Sequence, residues 1–357
     1  MKGVVKYGLG PEGVELRTLE DPKPKQGECL VKVLAAGICA SDIHAIKDER
    51  SVTMPVVLGH EYIGQIAQTC GNTGSLKAGD WVVSLPACYS CGTCRECRSG
   101  AVTLCRQRKS IGSHRNGAMA NHVVVPAKYT WKVASADADP ASLVPYAVAE
   151  PLACVVHGVY EKVDVRPGDV VVVSGPGVIG QLCAKAFRLR GAHVILSGIE
   201  IDREKLEFAK AVGNADVVVS NVADLEEVLK AISPGGADIT CDCAGVVPSL
   251  DTCLRVIKPM GTHLQMGLFG GKVPFRLDGL FDREVTYVPA NSSTVSSWKI
   301  TLDLLRENRI DLSPYVSMKV GLEDWKAAFD AVINKKVYKA LIMPNGIAAD
   351  WKSEVFR

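Results

Sequence analysis

The sequence lacks any excess of one charge: 41 Lys and Arg stand against 39 Asp and Glu over 357 residues, a formal net charge of +2. So close a balance supplies no global field to draw the chain to nucleic acid or to an acidic membrane surface, and neither is an expected partner. Long apolar runs are also missing, since no run approaches the roughly 18 apolar residues of a membrane helix. The opening Met1-Lys2-Gly3-Val4-Val5-Lys6 holds no apolar leader core, which makes the cytoplasm the expected compartment. No internal repeat or low-complexity segment interrupts the chain. Against these absences stand 13 cysteines. In a chain of this length without a leader, metal ligation or buried thiols are expected rather than disulfides. Five of the 13 crowd between residues 88 and 105, which favours metal.

The length accommodates two domains. The middle of the chain announces one of them. Val170, Val171, Val172 and Val173 suit a strand buried on both faces of a parallel sheet, and Gly175-Pro176-Gly177-Val178-Ile179-Gly180 follows at once. Glycines at that spacing let the backbone turn sharply and approach a pyrophosphate at a helix N-terminus. The helix is legible in Ile179, Leu182, Cys183, Ala186 and Phe187, closed by Gly191, and a second strand follows at 193–196. A glycine-rich turn alone is weak; a complete βαβ unit around it predicts a dinucleotide site. Further strands at 216–219, 238–241 and 262–266, the last ending on Met266, alternate with helices at 204–211, 225–232 and 250–257. Over residues 155 to about 290 that alternation describes a doubly wound α/β sheet.

Residues 1–85 read differently. Short β-type runs at 4–7, 29–34, 62–67 and 81–85, separated by turn formers such as Asp21-Pro22-Lys23-Pro24, predict a β-rich, barrel-like unit. Two segments there carry chemistry: Gly37-Ile38-Cys39-Ala40-Ser41-Asp42-Ile43-His44 and Gly59-His60-Glu61. A thiolate and an imidazole suit zinc, and a catalytic zinc needs a third protein ligand beside an open position. Glu150, in Ala149-Glu150-Pro151-Leu152, is the candidate, with Cys154 as its competitor. The strongest metal signal is Cys91-x-x-Cys94-x-x-Cys97 followed by Cys105, a spacing that places four thiolates around a closed, structural zinc. Cys88 extends the series by one and leaves a second choice of four open. A nucleic-acid-binding zinc ribbon is excluded for want of a basic aromatic face beyond Arg106, Arg108 and Lys109.

Taken together and in order, the G-I-C-x-S-D-x-H stretch, the G-H-E, the E-P-L and the V-x-G-P-G-x-I-G resemble the zinc-containing medium-chain alcohol and polyol dehydrogenases of sorbitol type, over essentially the whole chain. The resemblance implies a Rossmann domain at 155–289 inserted into a GroES-like catalytic domain formed by 1–154 and 290–357. It implies that Cys39 and His60, with Glu61 or Glu150, surround a catalytic zinc, that Asp42 orients the histidine, and that Ser41 passes the hydroxyl proton toward His44. Read without the resemblance, Ser41 and His44 are a helix cap and a surface histidine. The family pattern takes Cys91, Cys94, Cys97 and Cys105 for the structural zinc and leaves Cys88 aside. Gly175, Gly177, Val178, Ile179, Gly180 and Met266 fall to the cofactor.

The end of the second strand decides between NAD and NADP, because an acidic side chain there accepts the adenosine ribose hydroxyls and repels a 2′-phosphate. Gly198 stands where that acid belongs, Glu200 follows slightly late, and Arg203 offers a phosphate partner, so the lean to NAD is weak. The loop 108–117 is rich in basic residues; the resemblance implies that it borders the substrate cleft, where His114 and Arg115 could hold an acidic or phosphorylated polyol, while as a charge run it reads as a solvated face. The expected activity is oxidation of a secondary alcohol of a polyol, sugar alcohol or sugar derivative to its ketone, with an amino-alcohol dehydrogenase of threonine type or a non-catalytic binder as alternatives. A homodimer or homotetramer is expected.

Overall fold

The structure, a computed structural model, describes residues 1–346, so the end of the expected catalytic domain, 347–357, lies outside the described residues. The chain forms two compact units, one of Met1–Glu150 with the chain from Thr294 onward, the other of Pro151–Ser293.

The second unit is built on Val170–Ser174, whose four valines are 0–7% exposed because helices cover both sheet faces. Six parallel strands lie in the order Val217–Val219, His193–Ser197, Val170–Ser174, Ala237–Asp242, Ile257–Gln265 and Thr286–Pro289. The first strand in the chain is therefore central, and the direction of winding reverses beside it, where doubly wound sheets bind ligands. The helix Val178–Leu189 buries Leu182, Cys183, Ala186 and Phe187 completely, and burial of Leu182 or Phe187 stabilises by about 1.5–3 kcal/mol each. It ends before Gly191, whose φ of +90° any other residue resists. One expected boundary moves: the helix over 250–257 is Val247–Val256, and Ile257 already belongs to a strand. Pro259 explains this, since the residue before a proline is pushed to extended backbone and the helix must stop short of it.

In the first unit, antiparallel strands Glu28–Gly37 and Glu61–Cys70 form the spine, flanked by Trp81–Ser84 and Thr130–Ala134 on one side and by Lys339–Met343 and Val316–Gly321 on the other. His122–Pro126 pairs with the start of Glu28–Gly37. The spine's register sets Gly37 opposite Glu61 and Leu341 opposite Gly37. Three segments far apart in sequence thus end at one place. Near the end of the unit a turn, Leu322–Asp324, leads into a helix, Trp325–Ile333, that buries Trp325, Ala328 and Phe329. Trp298 is 1% exposed and stacks on Trp131 at 5.1 Å.

One helical run nevertheless passes a test of mean apolarity. The helical run Pro140–Lys162 is long and apolar enough to cross a membrane by composition. Of its most apolar window 72% is buried inside the protein, so the apolar surface is matched by protein rather than left for lipid. It is a core helix, and Ser142, Glu150 and His157 keep it from being an uninterrupted apolar run.

Candidate active site

The site begins where the spine strands end. Two residues beyond Gly37, Cys39 caps the helix Ala40–Ile46, and one residue before Glu61 stands His60. The donor atoms of Cys39, His60 and Glu61 all lie within 4.8 Å of one another. One thiol, one imidazole and one carboxylate at that separation fit a zinc ion with room for a further ligand.

Asp42, 2% exposed, ties the group together. Its Oδ2 accepts the backbone N–H of Cys39 at 2.9 Å, and its Oδ1 accepts that of Gly59 at 3.2 Å and faces His60 Nδ1 at 3.7 Å. Burial disfavours the Asp42 carboxylate, yet His60 and these amides hold its pKa below the ordinary value. Burial also opposes protonation of His60, and Asp42 in turn lifts its pKa well above 6.5. A carboxylate on one ring nitrogen leaves the other, Nε2, for a metal or donor. Ser41 Oγ lies 3.5 Å from that nitrogen. His44, one turn further along the helix and partly exposed, meets Glu49 Oε2 with its Nδ1 at 2.5 Å.

Sequence reasoning missed Lys339. Its Nζ lies 2.7 Å from Glu61 Oε2 and donates to the Ile38 carbonyl at 3.1 Å, with both side chains of the pair under 10% exposed. Burial pushes the ammonium's pKa down, but Glu61, then Cys39 and Glu150, hold it above the ordinary value. The only signal was a lone lysine opening an apolar strand, 278 residues from its partner. Glu150, buried in the helix Ala149–Val156, lies close enough to act on Lys339 and Arg108, but it is outside the cluster of Cys39, His60 and Glu61.

The sulfurs of Cys91, Cys94, Cys97 and Cys105 also lie within 4.8 Å of one another. Backbone N–H groups point at them: Cys94 to Cys91 at 3.3 Å, Cys97 to Cys94 at 3.4 Å and Cys91 to Cys105 at 3.5 Å. Such donors stabilise thiolates, and those from Cys94 and Thr93 bring the Cys91 pKa down to about 6. Four sulfurs this close, three of them receiving N–H donors, fit a closed tetrahedral zinc. Cys88 is outside the group, its thiol pushed up by burial. A third convergence, Cys183, Cys241 and Cys243, was not foreseen, because it joins a helix to a strand end.

At the glycine-rich turn, Gly175 has φ +100° and an added Cβ would stand 2.9 Å from the Ala244 nitrogen, while one on Gly180 would stand 1.8 Å from the Gly175 oxygen. A Cβ on Gly177, the N-cap of Val178–Leu189, would meet nothing within 4 Å. The turn is thus closed toward the protein and open where a pyrophosphate would approach the amides of Val178 and Ile179. Gly198 packs against Pro176, and Glu200 forms an exposed ion pair with Arg203. Met266 donates its N–H to the Asp242 carbonyl at 2.9 Å, and its sulfur lies against Gly158. Arg115 is committed elsewhere, its Nη1 2.6 Å from Glu28 Oε1.

The alcohol dehydrogenase GroES-like domain profile matches residues 25–135 and the zinc-binding dehydrogenase profile residues 178–307. The chain is 36% identical to the D-arabitol-phosphate dehydrogenase of Enterococcus avium, over 97% of this chain and 98% of that one. It is 30% identical to the sorbitol dehydrogenase of Halalkalibacterium halodurans, over 96% and 99%. A zinc-binding dehydrogenase of Sinorhizobium meliloti, solved with NADP, superposes with a TM-score of 0.84 at 32% identity, over 96% of this chain and 99% of that one. The chain belongs to the zinc-containing medium-chain alcohol and polyol dehydrogenases, oxidoreductases that work with zinc and a nicotinamide cofactor.

Proposed function

We propose that this protein oxidises a secondary alcohol of a polyol or sugar alcohol to the ketone, with Cys39, His60 and Glu61 holding the catalytic zinc. The observation that carries this reading is the convergence of those three donors beside the Ser41 hydroxyl. Bound there, a zinc ion would supply the Lewis acid that lowers the substrate hydroxyl pKa, and a nicotinamide at the glycine-rich turn would supply the hydride acceptor. The chain's own residues do the rest. Asp42 fixes the His60 ring, and Lys339 neutralises Glu61. Ser41 takes the hydroxyl proton and hands it toward His44 and solvent, with Glu49 on the far side of the imidazole. Cys91, Cys94, Cys97 and Cys105 hold a second, structural zinc.

For the cofactor we propose NAD with a small margin. Glu200 is the acid available to the ribose, but Arg203 cancels its charge, so discrimination against a 2′-phosphate is expected to stay below about tenfold. The test is zinc content together with turnover of NAD+ and NADP+ on a panel of polyols and amino alcohols. About two zinc per chain and oxidation of a polyol support the reading. Oxidation of amino alcohols alone, or full zinc without turnover on any alcohol, overturns it.

A further inference from the structure

Beneath the glycine-rich turn the second unit gathers three thiols that belong to neither zinc group. Cys241 stands one residue before the end of the strand Ala237–Asp242, opposite Val173 in the register, and Cys243 follows just past the strand. Extended backbone turns residues two apart to the same face, and Cys241 Sγ lies 3.6 Å from Cys243 Sγ. The helix Val178–Leu189 brings Cys183 to them, so that the three sulfurs all lie within 4.8 Å of one another. Cys183 and Cys241 are fully buried, while Cys243 is part-exposed and gives the side from which a ligand reaches the group. Cys243 also backs the turn: its N–H donates to the Ser174 carbonyl at 2.9 Å, and an added Cβ on Gly180 would stand 3.5 Å from its Cβ.

The donor set decides what fits. A closed zinc site takes four ligands, as Cys91, Cys94, Cys97 and Cys105 offer; among the described residues this group has three sulfurs and no imidazole or carboxylate. Sulfur donors alone select soft, thiophilic ions. The charge acting on Cys243 from outside the trio is that of Asp242, also negative. A monovalent or divalent ion on three thiolates would leave net negative charge buried beside that carboxylate, which is costly. A trivalent one leaves none.

We propose that Cys183, Cys241 and Cys243 form a binding site for trivalent arsenic, supplied as arsenous acid, and that its occupancy weakens dinucleotide binding at the turn. The site lies outside the alcohol-oxidising chemistry and does not depend on which alcohol is oxidised. In the exchange three S–H and three As–O bonds break, three As–S bonds form and three waters leave. Arsenic stays trivalent throughout, so neither oxidant nor reductant is needed. The product is neutral and three-coordinate, as a buried group of three thiols requires. Drawing three sulfurs onto one atom pulls the helix Val178–Leu189 toward the end of the strand Ala237–Asp242. The close packing of Gly180 on the Gly175 oxygen passes that shift to the turn.

The test uses the zinc-loaded full chain and sodium arsenite. Intact mass should rise by one arsenic less three hydrogens per chain, three thiols should be lost to a thiol reagent, and the zinc content should stay constant. Cys183→Ala and Cys243→Ala should each weaken arsenite binding by about a hundredfold or more, because one of three linked attachments is gone. Cys253→Ala, at another buried cysteine of the unit, should change nothing. Arsenite at saturation should lower the affinity for NAD+ and NADP+ by about tenfold, and saturating dinucleotide should weaken arsenite binding by the same factor. In Cys243→Ala, whose part-exposed position tolerates the change best, arsenite should no longer affect dinucleotide affinity. Arsenic uptake with loss of zinc would place the ion on Cys39 or on the four-cysteine group and overturn the site, as would undiminished binding in both variants. Uptake of copper(I) or cadmium by the same three thiols with no uptake of arsenite overturns the choice of ion. Unchanged dinucleotide affinity at full arsenic occupancy overturns the coupling.

Discussion

Two groups of side chains in the first unit that could hold a metal are assembled in opposite ways. Cys91, Cys94, Cys97 and Cys105 come from one short segment, closed by backbone N–H to sulfur bonds within that segment. Cys39, His60 and Glu61 come from the ends of two long strands whose register sets Gly37 against Glu61, and they are completed by Lys339 from a third. A lobe whose ligands are local needs its metal to have a shape, because little apolar surface holds it. A site built on strand register has its shape from the core and adds only chemistry. Loss of metal should therefore unfold one locally and silence the other.

The largest expected effect comes from Cys39→Ser, which should lower kcat by about a thousandfold or more while leaving the melting temperature nearly unchanged. A globally unfolded variant would break the comparison. Next, Cys94→Ser should remove one zinc per chain and open the segment between 91 and 105 to proteolysis, with the catalytic zinc retained. Unchanged zinc stoichiometry would sink the four-cysteine assignment. Third, Lys339→Met strands the Glu61 carboxylate in the interior and should cost about 3–5 kcal/mol in denaturant unfolding, most of it recovered by adding Glu61→Gln. A double variant no better than the single would show that Lys339 acts through packing alone.

The smallest effect concerns the clamp between Arg115 on the returning loop and Glu28 on the strand Glu28–Gly37. Burial raises the Glu28 pKa, but the Arg115 guanidinium together with the Lys25 backbone N–H and ammonium holds the carboxyl below its ordinary 4.5. A lowered folded-state pKa means stability present above about pH 4.5 and lost as pH falls through the folded value. Glu28→Gln should flatten that acid limb in a pH series of thermal melts, at a cost of about 1 kcal/mol or less at neutral pH. An unchanged acid limb would mean that the Arg115–Glu28 pair contributes nothing to stability and that the loop is held by its backbone bonds, such as Gly117 N–H to the Val57 carbonyl at 2.8 Å.

Legibility in the sequence follows the same division. The turn 175–180 and the cysteine run could be read because each fits within one strand-turn-helix unit or one loop. Boundaries were read less well where a single residue shifts the balance, as Pro259 does by ending the helix Val247–Val256 early. The basic loop was read as a pair, His114 and Arg115, because the two are adjacent and basic. The structure commits Arg115 to Glu28, 87 residues away, and turns Arg108 to the Thr103 carbonyl instead. Charge run alone does not say which cations have partners.

What the sequence determined by itself was local: the parallel α/β sheet from its valine strand and alternating helices, the phosphate turn from its glycines, and the thiol lobe from its spacing. Short-range spacing sets these because backbone geometry repeats the same way wherever the residues occur. Only the tertiary structure decided that Glu61 lies within donor reach of Cys39 and His60 while Glu150 lies outside that cluster, that Lys339 pairs with Glu61, and that Arg115 reaches Glu28. Those pairings depend on strand register and loop packing between segments tens to hundreds of residues apart, and a buried charge finds its partner only when the core that buries it has formed.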